Sequence, residues 1–244
     1  MVAIHLLKKD WGGTMIRPKG RNSIPDRLLS FGRHLIYAEG TKTEIFYVED
    51  LKQYISEQLS IDKRFIEIVP VEKPKVEHTV GLVKFAIRNI KQRLKNGETI
   101  DYVWIFYDKD EYKDFDDAYK LIQKQNTSES DCGNNDITWF SCWSNQAFEV
   151  WLYHYFENLT TSLDRKYYEG KINAFLKRNG CKEKYSKTRH DIHHFLENNG
   201  GSIERATELM KKKDLEHKNE KPDPSSGVYQ FAEYILAYIK NKSH

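Results

Sequence analysis

From His34 onward the apolar residues fall into two alternating patterns. His34–Glu39 (HLIYAE) is a short apolar run that stops on a carboxylate just before Gly40. Thr41–Leu59 follows, with Ile45, Phe46, Val48, Leu51, Tyr54, Ile55 and Leu59 at helical spacing. Phe65–Val71 reads as a second strand, bounded by Pro70 and Pro74, and Val80–Leu94 as a helix stopped by Asn96-Gly97. Tyr102–Tyr107 is a continuous apolar run of the length of a strand buried on both faces. Phe115–Gln123 predicts a helix, Ser128–Asn135 a polar loop, Ile137–Trp143 a strand and Asn145–Phe156 an aromatic-rich helix. From Leu163 the pattern is helical only, over Ile172–Leu176, Ile192–Leu196, Ile203–Met210 and Val228–Ile239, with loops at Asn198–Gly201 and Lys221–Gly227. Strand–helix alternation with such gaps predicts parallel crossovers. The expected class is α/β, a mainly parallel sheet flanked by helices. Three parts are expected: a basic arm over 1–33, an α/β domain over 34–158, and a helical C-terminal portion over 159–244 packed on it.

Composition narrows the setting. Of 244 residues, 39% are hydrophobic and 13% aromatic, which is enough for a packed core. The balance of 39 Lys+Arg against 36 Asp+Glu gives a net charge of +3, too small to argue for a nucleic-acid partner, so local distribution matters more. No stretch has the length of an apolar membrane span, and the start MVAIHLLKKDWGG lacks the core and cleavage site of a secretory signal. The three cysteines, Cys132, Cys142 and Cys181, show no paired spacing. That argues against structural zinc or a disulfide framework and fits a reducing cytoplasm.

The candidate chemistry sits where two apolar runs end. Val103–Asp110 (VWIFYDKD) stops on Asp108 and Asp110, and the first run stops on Glu39. Ligands of open α/β sheets gather outside the carboxyl ends of the strands. Neighbouring strands lie about 4.8 Å apart, so groups at adjacent ends can share one ion. Alternation sends Asp108 and Asp110 the same way, and two carboxylates so close repel unless a cation lies between them. Asp-x-Asp also occurs in turns that cap a following helix. Together with Glu39, the pair favours a site for a hard divalent cation.

These residues resemble a known family. Glu39-Gly40 followed by a strand ending Asp108-x-Asp110 resembles the Toprim fold of topoisomerases, primases and OLD-type nucleases. Tyr37–Glu44 (YAEGTKTE) resembles the CEGEKTE signature of RloB-like proteins, and Trp104–Tyr112 their v-fDrDef segment. Ser144–Leu152 (SNQAFEVWL) is similar to SNPxFExWL, while Tyr185-Ser-Lys187 and Pro224-Ser-Ser226 match later landmarks. The matches run in order from about residue 33 to 230. Ala38, Lys109, Gln146 and Ser226 depart from the pattern, and none of them is a carboxylate. The resemblance implies a Toprim-like (Rossmann-like) fold and a Mg²⁺- or Mn²⁺-dependent nuclease. It also implies a place in bacterial restriction-modification or abortive-infection loci, often beside an encoded ATPase. Carried over by position, Glu39 is the Toprim glutamate, acting as metal ligand or general acid/base, and Asp108 and Asp110 are the metal-binding pair. Glu44 and Glu149 are further matching carboxylates and, by the same resemblance, candidate metal ligands. Glu149 lies in an otherwise apolar stretch and needs a cationic or donating partner.

Residues 163–190 carry nine Lys/Arg against three acids, interleaved with Tyr167, Tyr168 and Tyr185. Such a surface attracts phosphates and permits base stacking. Lys187, at a family landmark, is the expected neutraliser of a phosphate at the scissile bond. His190, His193 and His194 have no cysteine or acidic pattern that would argue for zinc, and Lys211–Lys213 reads as a solvated helix end. Trp139, Trp143 and Trp151 read as core. The cysteines a primase usually brings are lacking, and the chain leaves no room for a topoisomerase's separate nucleophile domain. The expectation is phosphodiester hydrolysis of DNA or RNA, tRNA included. Two alternatives are a non-catalytic nucleic-acid-binding or effector subunit acting through a partner ATPase, and a hydrolase of small phosphates.

Overall fold

The computed structural model describes residues 31–40, 42–71, 78–109, 114–133, 136–217 and 220–242. The basic arm over 1–33, except for its last three residues, and Asp110 lie outside the described residues. Five strands form one sheet: β1 (His34–Ala38), β2 (Ile66–Ile68), β3 (Tyr102–Asp108), β4 (Thr138–Asn145) and β5 (Ser225–Ser226). Their order is β2-β1-β3-β4-β5, parallel except for β5, which runs antiparallel to β4. Among the described residues there are eight α-helices: α1 (Thr43–Leu59), α2 (His78–Lys95), α3 (Phe115–Lys124), α4 (Glu149–Tyr153), α5 (Tyr168–Arg178), α6 (Ile192–Asn198), α7 (Ile203–His217) and α8 (Tyr229–Lys242). The architecture is the expected Rossmann-like α/β sheet with a helical C-terminal part. None of these helices is long and apolar enough to cross a membrane.

Because β3 is buried on both faces, its period of two deals side chains into two cores. Trp104 and Phe106 join Ile36 and Ala38 of β1 under α1 and the C-terminal helices, against Tyr47, Phe148, Trp151 and Phe231. Val103, Ile105 and Tyr107 join Leu35 and Tyr37 on the other face, against Leu82 and Val83 of α2 and Ala118 and Ile122 of α3. Trp104 is the hinge-pin of the first core: its ring stacks on Phe140 at 4.0 Å and its Nε1–H donates to His34 Nδ1 at 3.0 Å. With Nδ1 accepting, His34 Nε2 carries the proton and donates to Phe31 O at 2.9 Å. Both ring nitrogens are therefore used in the neutral form.

Three expectations need correction. The second strand covers only Ile66–Ile68, because Phe65 belongs to a 3₁₀ turn (Lys63–Phe65) and is exposed. The aromatic helix expected over Asn145–Phe156 starts at Glu149 and holds five residues, because β4 continues through Asn145, where it pairs with Ser225. That pairing strand, β5, lies in a segment read as loop, since two residues carry no periodicity. It ties the helical part to the sheet: Gly227 N donates to Trp143 O at 2.7 Å, and any Cβ at Gly227 would collide with Ser141 O and the Trp143 ring. Lys213 is likewise no solvated helix end. Its ammonium donates to the carbonyls of Leu159 and Pro224, and burial pulls its pKa down.

Three imidazoles are locked neutral. Burial lowers His34 to about 3, His154 to about 4 and His193 to about 3. In the unfolded chain each titrates near 6.5, so below that pH the unfolded state binds more protons than the folded one. The fold's full stability is present above about pH 6.5 and is eroded as pH falls towards about 4, by on the order of 1 kcal/mol per pH unit for each imidazole. Long-range ¹H–¹⁵N spectra are expected to show these three rings neutral from pH 8 to 5.5. A midpoint near 6.5 for His34 would contradict the packing described.

Candidate functional site

The same alternation places the acids. Ala38 is level with Phe106, so Gly40 falls level with Asp108 one strand away. Asp108 continues the face of Trp104 and Phe106, whereas Glu39 continues that of Tyr37 and Tyr107. The Glu39 amide keeps the strand pairing by donating to Phe106 O at 2.9 Å. Its carboxylate accepts from Thr79 Oγ1 at 3.4 Å, on the α2 side.

On the Asp108 side lies a cleft of about 200 Å³ lined by Lys42, Thr43, Glu44, Asp108, Phe148, Glu149, Arg165 and Lys187. Glu44, in the first turn of α1, folds back over Gly40, where a Cβ would collide with its carboxylate. The glycine is needed for this close approach. Glu149 opens α4 and is buried, its side chain only 3% exposed, and Lys187 Nζ stands 2.9 Å from its Oε1. Lys187 comes from a loop pinned beside α5: Asn173 Nδ2 donates to Tyr185 O at 3.0 Å, and Tyr185 N donates to Asn173 Oδ1 at 2.8 Å. Thr43 Oγ1 donates to Lys187 O at 3.4 Å, joining that loop to α1. At the other wall Arg165 Nη2 lies 3.8 Å from Asp108 Oδ2. Behind Asp108, Ser144 and Ser226 continue the row across β4 and β5, with their hydroxyls 3.1 Å apart.

The acids crowd one another. Burial raises the Asp108 carboxyl well above its ordinary range; Glu44, Glu149 and Glu39 push it further, and Arg165 opposes them. Glu44 is raised by burial and by Glu149 and Glu39, against its own backbone hydrogen bond and Lys187. Asp108 Oδ1 is buried without a hydrogen-bond partner among the described residues, and the side chain is 13% exposed. A buried acceptor left this way favours a cation or a donor.

Five of the six residues singled out from the sequence are therefore placed. Asp108, Glu44, Glu149 and Lys187 line one cleft. Glu39 stands at the same sheet edge, near enough to raise Asp108 and Glu44, but is not among the residues lining the cleft. Asp110 lies outside the described residues. Sequence reasoning did not single out Arg165, Lys42 or Thr43. The basic run over 163–190 was the available signal for Arg165. His193 and His194 make structural contacts instead: buried His193 Nδ1 meets Tyr155 Oη at 3.1 Å, and partly exposed His194 Nδ1 meets Asp50 Oδ1 at 2.7 Å.

Among the described residues no three His, Cys, Asp or Glu side chains form a ready metal cluster. Magnesium commonly takes only one or two carboxylates, with waters and substrate phosphates completing its shell. The hard oxygen donors of Asp108 and Glu44 and the orphaned Oδ1 fit that requirement, so Asp108, with Glu44 or Glu149 beside it, would hold such an ion.

Fold and cleft together define a Rossmann-like α/β protein with an acid-floored, base-walled site at its strand ends. A family model described as RloB-like protein matches residues 34–235, and the chain belongs to the RloB-like family. Comparison with curated proteins and with solved structures found no significant match.

Without divalent ions, Asp108→Asn is expected to stabilise the protein by about 1–3 kcal/mol, because it removes a desolvated charge among like charges. That corresponds to a melting temperature several degrees higher, at roughly 2–4 °C per kcal/mol for a chain of this size. A lower melting temperature for this variant would show that Asp108 is satisfied. Lys187→Ala is expected to lower the melting temperature by leaving Glu149 buried and unpaired, and Glu149→Gln added to it to recover most of the loss. Additive effects of these two substitutions would break the assigned pairing.

Proposed function

We propose that this chain is a divalent-metal-dependent nuclease that hydrolyses phosphodiester bonds of DNA or RNA. The observation that carries the reading is the opposition, in one cleft, of Asp108, Glu44 and Glu149 to Lys42, Arg165 and Lys187. An acidic floor calls for a metal ion, and cationic walls suit the phosphate such an ion would engage. A Mg²⁺ or Mn²⁺ ion held on Asp108 would supply Lewis acidity and a more acidic attacking water.

In this reading Lys187 and Arg165 orient the phosphodiester and neutralise its charge. Lys187 is anchored for that task by Glu149, and Arg165 stands 3.8 Å from Asp108 at the other wall. Glu44, with its proton affinity raised, is the group suited to accept a proton from the attacking water or return one to the leaving oxygen. Glu39 tunes the cleft from the far face of β1 through its charge and its bond to Thr79. Asp110, two residues on from Asp108 in the sequence, is proposed as a second metal ligand on its family position. Family membership also leads us to propose a role as an effector of anti-phage defence, working with an ATPase encoded nearby.

The test is a cleavage assay with Mg²⁺ or Mn²⁺ on single- and double-stranded DNA and on RNA including tRNA, with and without that ATPase. Wild type is expected to cut, and Asp108→Ala to lose at least about 10²-fold, the scale of losing a group that stabilises transition-state charge. Wild type and Asp108→Ala equally inert on every nucleic acid would overturn the nuclease reading and favour a non-catalytic binding subunit. Turnover of nucleotides alone would favour a small-phosphate hydrolase.

A further inference from the structure

Two residues on from Arg165 of the cleft, an aromatic ring is exposed to solvent on a hydrogen-bonded turn. The 3₁₀ turn Arg165–Tyr167 is capped by Asp164, whose carboxylate accepts from Lys166 N at 3.0 Å and whose carbonyl accepts from Tyr167 N at 2.9 Å. Tyr168, the next residue, is fully buried and nails the turn to the core at the start of α5. Tyr167 itself is 55% exposed, although large apolar side chains elsewhere in this fold are mostly buried. Lys166 Nζ sits 5.0 Å from the centre of its ring and 3.1 Å from Asp164. The ammonium lies over the ring, more than half of whose residue is exposed to solvent.

Position gives the ring its meaning. Arg165, at the start of the same turn, points a guanidinium at Asp108 in the cleft. A 3₁₀ turn rises about 2 Å and rotates about 120° per residue, so Tyr167 lies about 4 Å further along and on the adjoining side of the same turn. A strand whose phosphate is gripped by Arg165 can bring a flanking base onto the side of the turn that carries Tyr167. Stacking on an aromatic requires a base with a free π-face, and interior bases of a continuous duplex have none.

We propose that Tyr167 is a base-stacking platform, so that the cleft selects nucleic acid with unpaired nucleotides at the scissile position over continuous duplex. The proposal rests on the cleft being a phosphodiester site and adds what the strand must look like. Arg165 and Lys166 supply sequence-independent attraction for the backbone, and Tyr167 supplies the preference for an open base.

The experiment measures binding by fluorescence anisotropy in EDTA, where metal-dependent cleavage cannot contribute. The full chain is titrated against a fluorescein-labelled single strand of about 12 nucleotides, within the usual span of such sites, as RNA and as DNA, and against the blunt duplex of the same sequence. Wild type is expected to bind at least one of the single strands more tightly than the duplex. Tyr167→Ala is expected to weaken single-strand binding by about five-fold or more, the low end of base–aromatic stacking. Tyr167→Trp should keep it, and duplex affinity should not move. Loss of less than about two-fold for Tyr167→Ala, an equal loss on duplex, or no binding to any strand would overturn the proposal. Single-strand binding that depends on Tyr167, in a protein that cuts nothing with Mg²⁺ or Mn²⁺, would leave this inference standing and sink the nuclease reading alone.

Discussion

The period-two alternation of β3, buried on both faces, is the constraint on which the site depends. It separates the side chains of the central strand into two cores, and the strand ends with Asp108 still obeying it. The face that carries Trp104 and Phe106 is also covered by α1, α4 and the C-terminal helices. Glu44, Glu149, Arg165 and Lys187 come from those coverings or the segments joining them, so they meet Asp108 and not Glu39. A one-residue slip in β3 would send Asp108 to the α2 side and dismantle the cleft.

The cleft is built against stability. Burying several carboxylates together costs free energy, which is why Asp108 and Glu44 hold protons more tightly than exposed acids do. Lys187 and Arg165 offset part of this, at 2.9 Å from Glu149 and 3.8 Å from Asp108. The second contact is long and half in solvent, with Arg165 49% exposed, so it contributes little. A fold that tolerates such crowding holds it with strong supports elsewhere: the row Asp108–Ser144–Ser226, the pinned Tyr185 loop and the Trp104–His34 pair.

Much of this was legible in the sequence. Runs such as Tyr102–Tyr107 and the helical spacing of α1, α2 and α3 mark an α/β sheet because burial on one or two faces leaves a periodic trace. The strand-end position of Asp108 followed from the same trace. What was hidden had no local period. The two residues of β5 pair across 82 positions, from Ser144 to Ser226, so only the fold reveals them. The side on which Glu39 falls depends on strand register, and the pairing of Glu149 with Lys187 on a contact between distant segments. Lys213 looked like one of three solvated lysines until the carbonyls of Leu159 and Pro224 were seen to take its charge.

The central claim is that Asp108 anchors a divalent-cation site in this cleft. Titration of Mn²⁺ followed by electron paramagnetic resonance tests it most directly, because free Mn²⁺ gives the signal and bound Mn²⁺ loses it. Wild type is expected to take up Mn²⁺ competitively with Mg²⁺, and Asp108→Asn to lose that uptake while remaining folded. Equal uptake by the two proteins would contradict the account.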